Sequence, residues 1–174
     1  MPKIKIGKDK ILRRGKFLTV ISRPYVDVSQ GKGVWEMIRR STPSRSIAIA
    51  PVTRTNEIIL IKTYRIPIKA YIIELCAGLR NVKKERGTIT ARRELLEETG
   101  YTAPNFIKAA AGLLNAGMSD EEFDLYLAEN ATYRRKPRLE NAEDISVIKI
   151  PLSKLRHFLD NPPRGVKIDL KIYC

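Results

Sequence analysis

RRELLEETGY, residues 92–101, sets three glutamates and two arginines in ten positions and closes on a glycine and a tyrosine. The chain as a whole leans the other way, with 33 Lys+Arg against 19 Asp+Glu. The spacing predicts a helix from about Thr88 to Thr99, with Gly100 just past its end as the terminator. Residues three and four apart share a helix face, so Glu94, Glu97 and Glu98 converge while Ala91 and Leu95 turn toward a core. Like charges at that spacing repel by a few tenths of a kcal/mol in water, and by more when partly buried. Arg92 and Arg93 compensate in part, but Arg93 starts about 100° around the helix from Glu94. Two readings of the cluster stand: a solvated charged face, or a socket for a hard divalent cation such as Mg²⁺ or Mn²⁺.

Working outward, residues 16–28 and 34–40 are rich in β-formers and flank the turn signal SQGKG, which reads as a hairpin. Residues 46–68 give two apolar strands around TRTNE, and AYIIELCAGL (70–79) gives another. Beyond the helix, TAPNFIKAAAGLL and FDLYLAEN read as strands on either side of the turn-rich NAGMSDEE. ISVIKIP (145–151) is a further strand, and a helix from about Leu152 to Leu159 is stopped by NPPRG. Strands therefore dominate an α+β layout. His157, the sole histidine, lies off the apolar face of that last helix, so a general base has to come from other residue types.

The 174 residues suit one domain with a sizeable core. No apolar run approaches the ~20 residues that a membrane-spanning helix needs. The basic opening MPKIKIGKDKILRRGK lacks the apolar segment of a secretory signal, and the two cysteines give neither a disulfide framework nor a zinc spacing, so a cytoplasmic location is expected. A net charge of +14 points to a polyanionic partner or to a Lys/Arg-rich solvated surface.

Gly78, Glu85 and then Arg93-Glu94-Leu95-Leu96-Glu97-Glu98-Thr99-Gly100-Tyr101 resemble the signature of the Nudix hydrolases. One departure is that six residues separate Gly78 from Glu85 where that signature has five, which puts Lys84 at the strict position. Tyr64-Arg65-Ile66-Pro67 and Ile73-Glu74-Leu75-Cys76-Ala77-Gly78 are similar to runs of the ADP-ribose and ADP-sugar pyrophosphatase branch, with Cys76 in place of a proline. Asn115 to Asp120 and Glu143-Asp144-Ile145 resemble two loops of the same branch.

The resemblance implies a Nudix-type α/β/α sandwich of mixed sheet and helices, with a small N-terminal β appendage. Residues 1–44 would form that appendage and 45–174 the hydrolase domain. It implies metal-dependent hydrolysis of ADP-ribose or a related ADP-sugar to AMP and a sugar phosphate, with Mg²⁺ or Mn²⁺ held by Glu94, Glu97, Glu98 and the Ala77 carbonyl. Arg93 would orient the helix and hold the loop glutamate. Glu143 would be the base, with Glu140 as the alternative. Phe17 and Trp35 would stack on adenine, Glu36 would accept from its amino group, Arg40 and Arg65 would hold the diphosphate, and Leu79 would complete the contacts, within a homodimer whose N-terminal regions are swapped. Read without the resemblance, Trp35 is a core residue. The rivals are a Nudix enzyme for another nucleoside diphosphate derivative, a regulatory domain of that family without hydrolysis, and a basic nucleic-acid-binding module. Against the last, the basic residues are dispersed and no RNA-binding signature occurs. The C-terminal GVKIDLKIYC resembles the start of a closing helix.

Overall fold

The computed structural model describes residues 3–42, 44–80, 85–139 and 144–174. The chain divides into two compact units: Met1–Arg45 with Gly112–Phe123, and Ser46–Ala111 with Asp124–Cys174.

The first unit is built on β1 (Lys5–Ile6), β2 (Lys10–Arg14), β3 (Leu18–Val26) and β4 (Lys32–Arg40). β3 is central, with β1 and β2 antiparallel to it in turn and β4 antiparallel as well. The β3–β4 register runs from Leu18 opposite Arg40 to Val26 opposite Lys32. Asp27 closes the expected turn: its Oδ1 accepts from the amides of Ser29 and Gly31, at 2.8 and 2.9 Å. Gln30 takes a φ of 66° there. The basic opening, unassigned by the sequence reading, supplies β1 and β2. Their residues are all exposed, so no buried face marked them out. Residues 112–123 join this unit, the amide of Ile38 donating to the Met118 carbonyl at 2.9 Å.

The second unit carries β5 (Arg45–Thr53), β6 (Glu57–Arg65), a 3-10 turn (Ile66–Ile68), β7 (Ala70–Glu74) and β8 (Cys76–Arg80). Then come α1 (Gly87–Thr99), β9 (Tyr101–Thr102), β10 (Asn105–Leu113), β11 (Glu122–Tyr133), β12 (Ile145–Pro151), α2 (Leu152–Asp160) and β13 (Val166–Ile168). The sheet order is β10-β11-β5-β6-β7-β13, with β12 also on β6, β8 on β5 and β9 on β11. β13 runs parallel to β7, whereas β7 and β12 are antiparallel to β6, so the sheet is mixed.

The run Ile58-Ile59-Leu60-Ile61 on β6 is buried throughout, which an alternating strand would not be, because both faces of this strand are covered. Ile47 and Ile49 of β5, Cys76, Ala91 and Leu95 of α1, Ala103, Tyr126 and Ala128 form one apolar cluster. This is the α+β architecture expected. No helix among the described residues is long and apolar enough to cross a membrane.

Two expectations change. The strand read over 70–79 is broken at Leu75 into β7 and β8, which pair with different neighbours. GVKIDLKIYC does not begin a helix. Val166–Ile168 completes the edge of β7, the Asp169 amide reaches the Ile73 carbonyl at 2.9 Å, and a 3-10 turn (Leu170–Tyr173) follows. The exposed backbone of an edge strand is satisfied by pairing, and Val-Lys-Ile has the β-branched alternation that suits it.

Candidate active site

α1 is pinned at both ends by glycines. At Gly87 a methyl group would overlap the Tyr126 hydroxyl, and at Gly100 it would overlap the Arg135 carbonyl. Gly100 also sits at φ 77°, ψ 3°, the left-handed conformation that ends a helix without steric cost only for glycine. Between these points Ala91 and Leu95 pack into the core, and the acidic residues face a cavity of about 490 Å³ lined by Arg65, Ala77, Gly78, Leu79, Arg93, Glu94, Glu97, Glu98 and Arg138.

Within it, Glu98 is 7% exposed and accepts from the Ala77 amide at 3.1 Å, which ties the end of α1 to β8. A methyl on Gly78 would overlap the Glu94 carboxyl, so the absence of a side chain there is what admits Glu94. Arg93 reaches further than its starting angle on the helix implies. Its guanidinium pairs with Glu94 at 2.9 Å and Glu97 at 3.0 Å, and stands 3.6 Å from Glu85. Burial works against the charge of Arg93, but Glu94, Glu97 and Glu85 together raise its pKa. The extra residue before Glu85 therefore leaves that glutamate within reach of Arg93. Among the described residues, no three acidic, histidine or cysteine side chains are gathered closely enough to hold a metal ion in this arrangement. Glu94 and Glu97 are turned to the guanidinium instead.

Arg65 ends β6 and is ion-paired with Glu74 of β7. Glu74 is 4% exposed, and burial pushes its carboxyl above the ordinary glutamate range, with Arg65 pulling the other way. A buried acid that fixes an arginine at a cavity wall had a sequence signal: a lone charge inside the apolar run IIEL. Arg138 was not anticipated. It follows β11 in the chain, and its amide donates to the Glu97 carbonyl at 2.8 Å. Glu143, Glu140 and Lys84 lie outside the described residues. Their neighbour Asp144 accepts from the Tyr71 hydroxyl at 2.5 Å, the contact that raises the Tyr71 pKa.

The other expected contacts belong to the first unit. Phe17 is 70% exposed, with the Lys16 ammonium 5.1 Å from its ring centre. Trp35 is 54% exposed, so it is not a core residue; its Nε1 donates to the Gly117 carbonyl at 3.0 Å. It lines an apolar cavity of about 530 Å³ with Tyr25, Met37 and Met118. Residues that follow one another in a strand point to opposite faces, so Glu36 and Arg40 lie on the other side of β4 from Trp35. The Arg40 guanidinium pairs with Glu121 at 2.8 Å.

No family model matches the chain. An uncharacterised Nudix hydrolase of Schizosaccharomyces pombe is 30% identical over 151 residues, which are 79% of this chain and 73% of that protein. The chain belongs to the Nudix hydrolases. An ADP-ribose pyrophosphatase of Bacillus subtilis is 36% identical over 108 residues, or 62% of this chain; the match spans 58% of that relative's length. The fold is also that of a protein solved as an ADP compounds hydrolase, with a TM-score of 0.81 at 22% identity over 93% of this chain and 85% of that one.

Proposed function

We propose that this chain is a metal-dependent pyrophosphohydrolase that splits ADP-ribose or a related ADP-sugar into AMP and ribose 5-phosphate or the corresponding sugar phosphate. The observation that carries the reading is the composition of one cavity, which Glu94, Glu97 and Glu98 of α1 line together with Arg65, Arg93 and Arg138. Acid suits a cation and the arginines suit a diphosphate, so a site for both is supported by its own charges.

The donor chemistry fits a divalent ion, Mg²⁺ or Mn²⁺. Glu94, Glu97, Glu98 and the Ala77 carbonyl would hold it as hard oxygen ligands. When bound, the ion supplies charge neutralisation at the phosphates and a lowered pKa for water. To serve as ligands, Glu94 and Glu97 would have to turn from the Arg93 guanidinium that now holds them. Arg65, braced by Glu74, is proposed to grip a diphosphate oxygen, Leu79 to pack against the substrate, and Arg93 to hold α1 and Glu85 in place. Glu143 is proposed as the base, with Glu140 as its alternate. Phe17, Trp35, Glu36 and Arg40 are proposed as adenine and phosphate contacts supplied by the N-terminal unit of a second copy in a homodimer. A cytoplasmic location is part of the proposal, Cys76 and Cys174 forming no disulfide among the described residues.

Incubation with Mg²⁺ and a panel of nucleoside diphosphate sugars tests the reading. AMP should appear from ADP-ribose or another ADP-linked substrate, and its absence from every one of them overturns the assignment.

A further inference from the structure

α1 has a second charged side. Arg92 lies roughly 120–160° around the helix from the three glutamates. It faces a separate pocket of about 260 Å³, shared with Arg54, Arg134, Thr102, Thr132 and Asn130. Arg54 comes from the turn between β5 and β6, and Arg134 follows β11, its amide held by the Gly100 carbonyl at 2.8 Å. Asn130 has a φ of 57°, a local break in the extended backbone of β11.

Three arginines line this one small pocket, and among the described residues no acidic side chain lines it with them. Every arginine ion pair among the described residues belongs to other arginines. Arg92 is nonetheless held in place. It donates to the Ala103 carbonyl at 2.6 Å and the Pro104 carbonyl at 3.2 Å, and its guanidinium lies 4.7 Å from the Phe106 ring centre. Carbonyls and a ring face orient the group without neutralising it, and leave other N–H donors unused. Thr102, Thr132 and Asn130, also in the lining, bring neutral hydrogen-bonding groups.

A positive, donor-rich pocket with no acidic residue in its lining among the described residues matches a tetrahedral oxyanion, since guanidinium forks and hydroxyls both donate to phosphoryl oxygens. We infer that this pocket binds a small phosphate compound, inorganic phosphate or pyrophosphate, on the side of α1 away from the glutamates. The inference rests on residues outside the candidate active site and holds whatever that site hydrolyses.

The test uses the full chain in EDTA, so that no metal recruits phosphate to the glutamates. Phosphate and then pyrophosphate are titrated while backbone amide resonances are followed. Saturable shifts are expected at Thr102, Thr132 and Arg134, and the double variant Arg54→Ser/Arg134→Ser should weaken binding by about tenfold or more. That variant should keep its circular dichroism spectrum, and its turnover with metal should stay within about twofold of the parent, since neither arginine touches the acidic cavity. Inorganic phosphate saturating alone identifies the free anion, whereas preference for pyrophosphate identifies a linked pair of phosphoryl groups. The inference is overturned if the shifts cluster only at Arg65, Ala77 and Glu98, if the double variant binds unchanged, or if chloride at equal ionic strength reproduces the shifts. It is also overturned if neither phosphate saturates while a short oligonucleotide binds through the same arginines, which would make the pocket a nucleic-acid contact.

Discussion

Glu98 and Gly78 show how little room the acidic cavity leaves. Glu98 is nearly buried and already engaged with the Ala77 amide, a bond that glutamine can keep through its amide oxygen. Glu98→Gln should therefore fold normally yet lose on the order of a thousandfold or more in turnover, because a neutral oxygen is a poor partner for a divalent ion. Steady-state release of AMP beside a thermal melt separates the two effects, and a loss of under about tenfold would remove Glu98 from the ligand set. Gly78→Ala displaces the Glu94 carboxyl, since the added methyl occupies its position. We expect activity to fall by about 10–100-fold, with the concentration of metal needed for half-activity rising in step. Glu74 behaves differently. Burial raises its folded-state pKa above that of the unfolded chain. Its contribution to stability is then fully present below the ordinary glutamate range and is lost as pH rises through the higher folded value. Glu74→Gln should flatten that decline in urea unfolding followed across pH, while raising KM because Arg65 loses its brace. An unchanged KM would show that Arg65 does not depend on it.

At the scale of elements, the boundaries of α1 were legible because they rest on local chemistry. The acidic run, the apolar pair Ala91 and Leu95, and Gly100 as terminator are all sequence-near features, and the helix begins and ends within a residue of the expectation. Gly100→Ala combines a left-handed φ with an overlap onto the Arg135 carbonyl. It should cost about 1–3 kcal/mol, seen as a melting temperature lower by several degrees for a chain of this size. Leu95→Ala empties a fully buried position and should cost about 2–5 kcal/mol, measured by chemical denaturation. Strand partners were less legible. Residues 70–79 read as one apolar stretch, and nothing local says that Ala70–Glu74 pairs with β6 while Cys76–Arg80 pairs with β5. β13 was misread for a similar reason, since a short segment takes the state that an available sheet edge offers it.

For the whole molecule, the proposed homodimer turns on the first unit. Trp35 is half exposed in a largely apolar cavity, an arrangement that a second copy covers under the proposed homodimer. Light scattering on the purified chain should give a dimer, and a monomer that hydrolyses ADP-ribose at full rate would remove the swapped N-terminal contacts from the proposal.

The sequence alone determined the apolar pattern that makes the core, the helix with its acidic face and the glycine that ends it, because each depends on residues a few positions apart. Only the tertiary structure decided that Glu74 braces Arg65, that Arg138 reaches the acidic cavity, that residues 112–123 join the first unit, and that Arg54, Arg92 and Arg134 share a pocket. Those pairings join positions far apart in the chain, and which of many solvent-compatible charges meet is settled by sheet order and chain path rather than by any local preference.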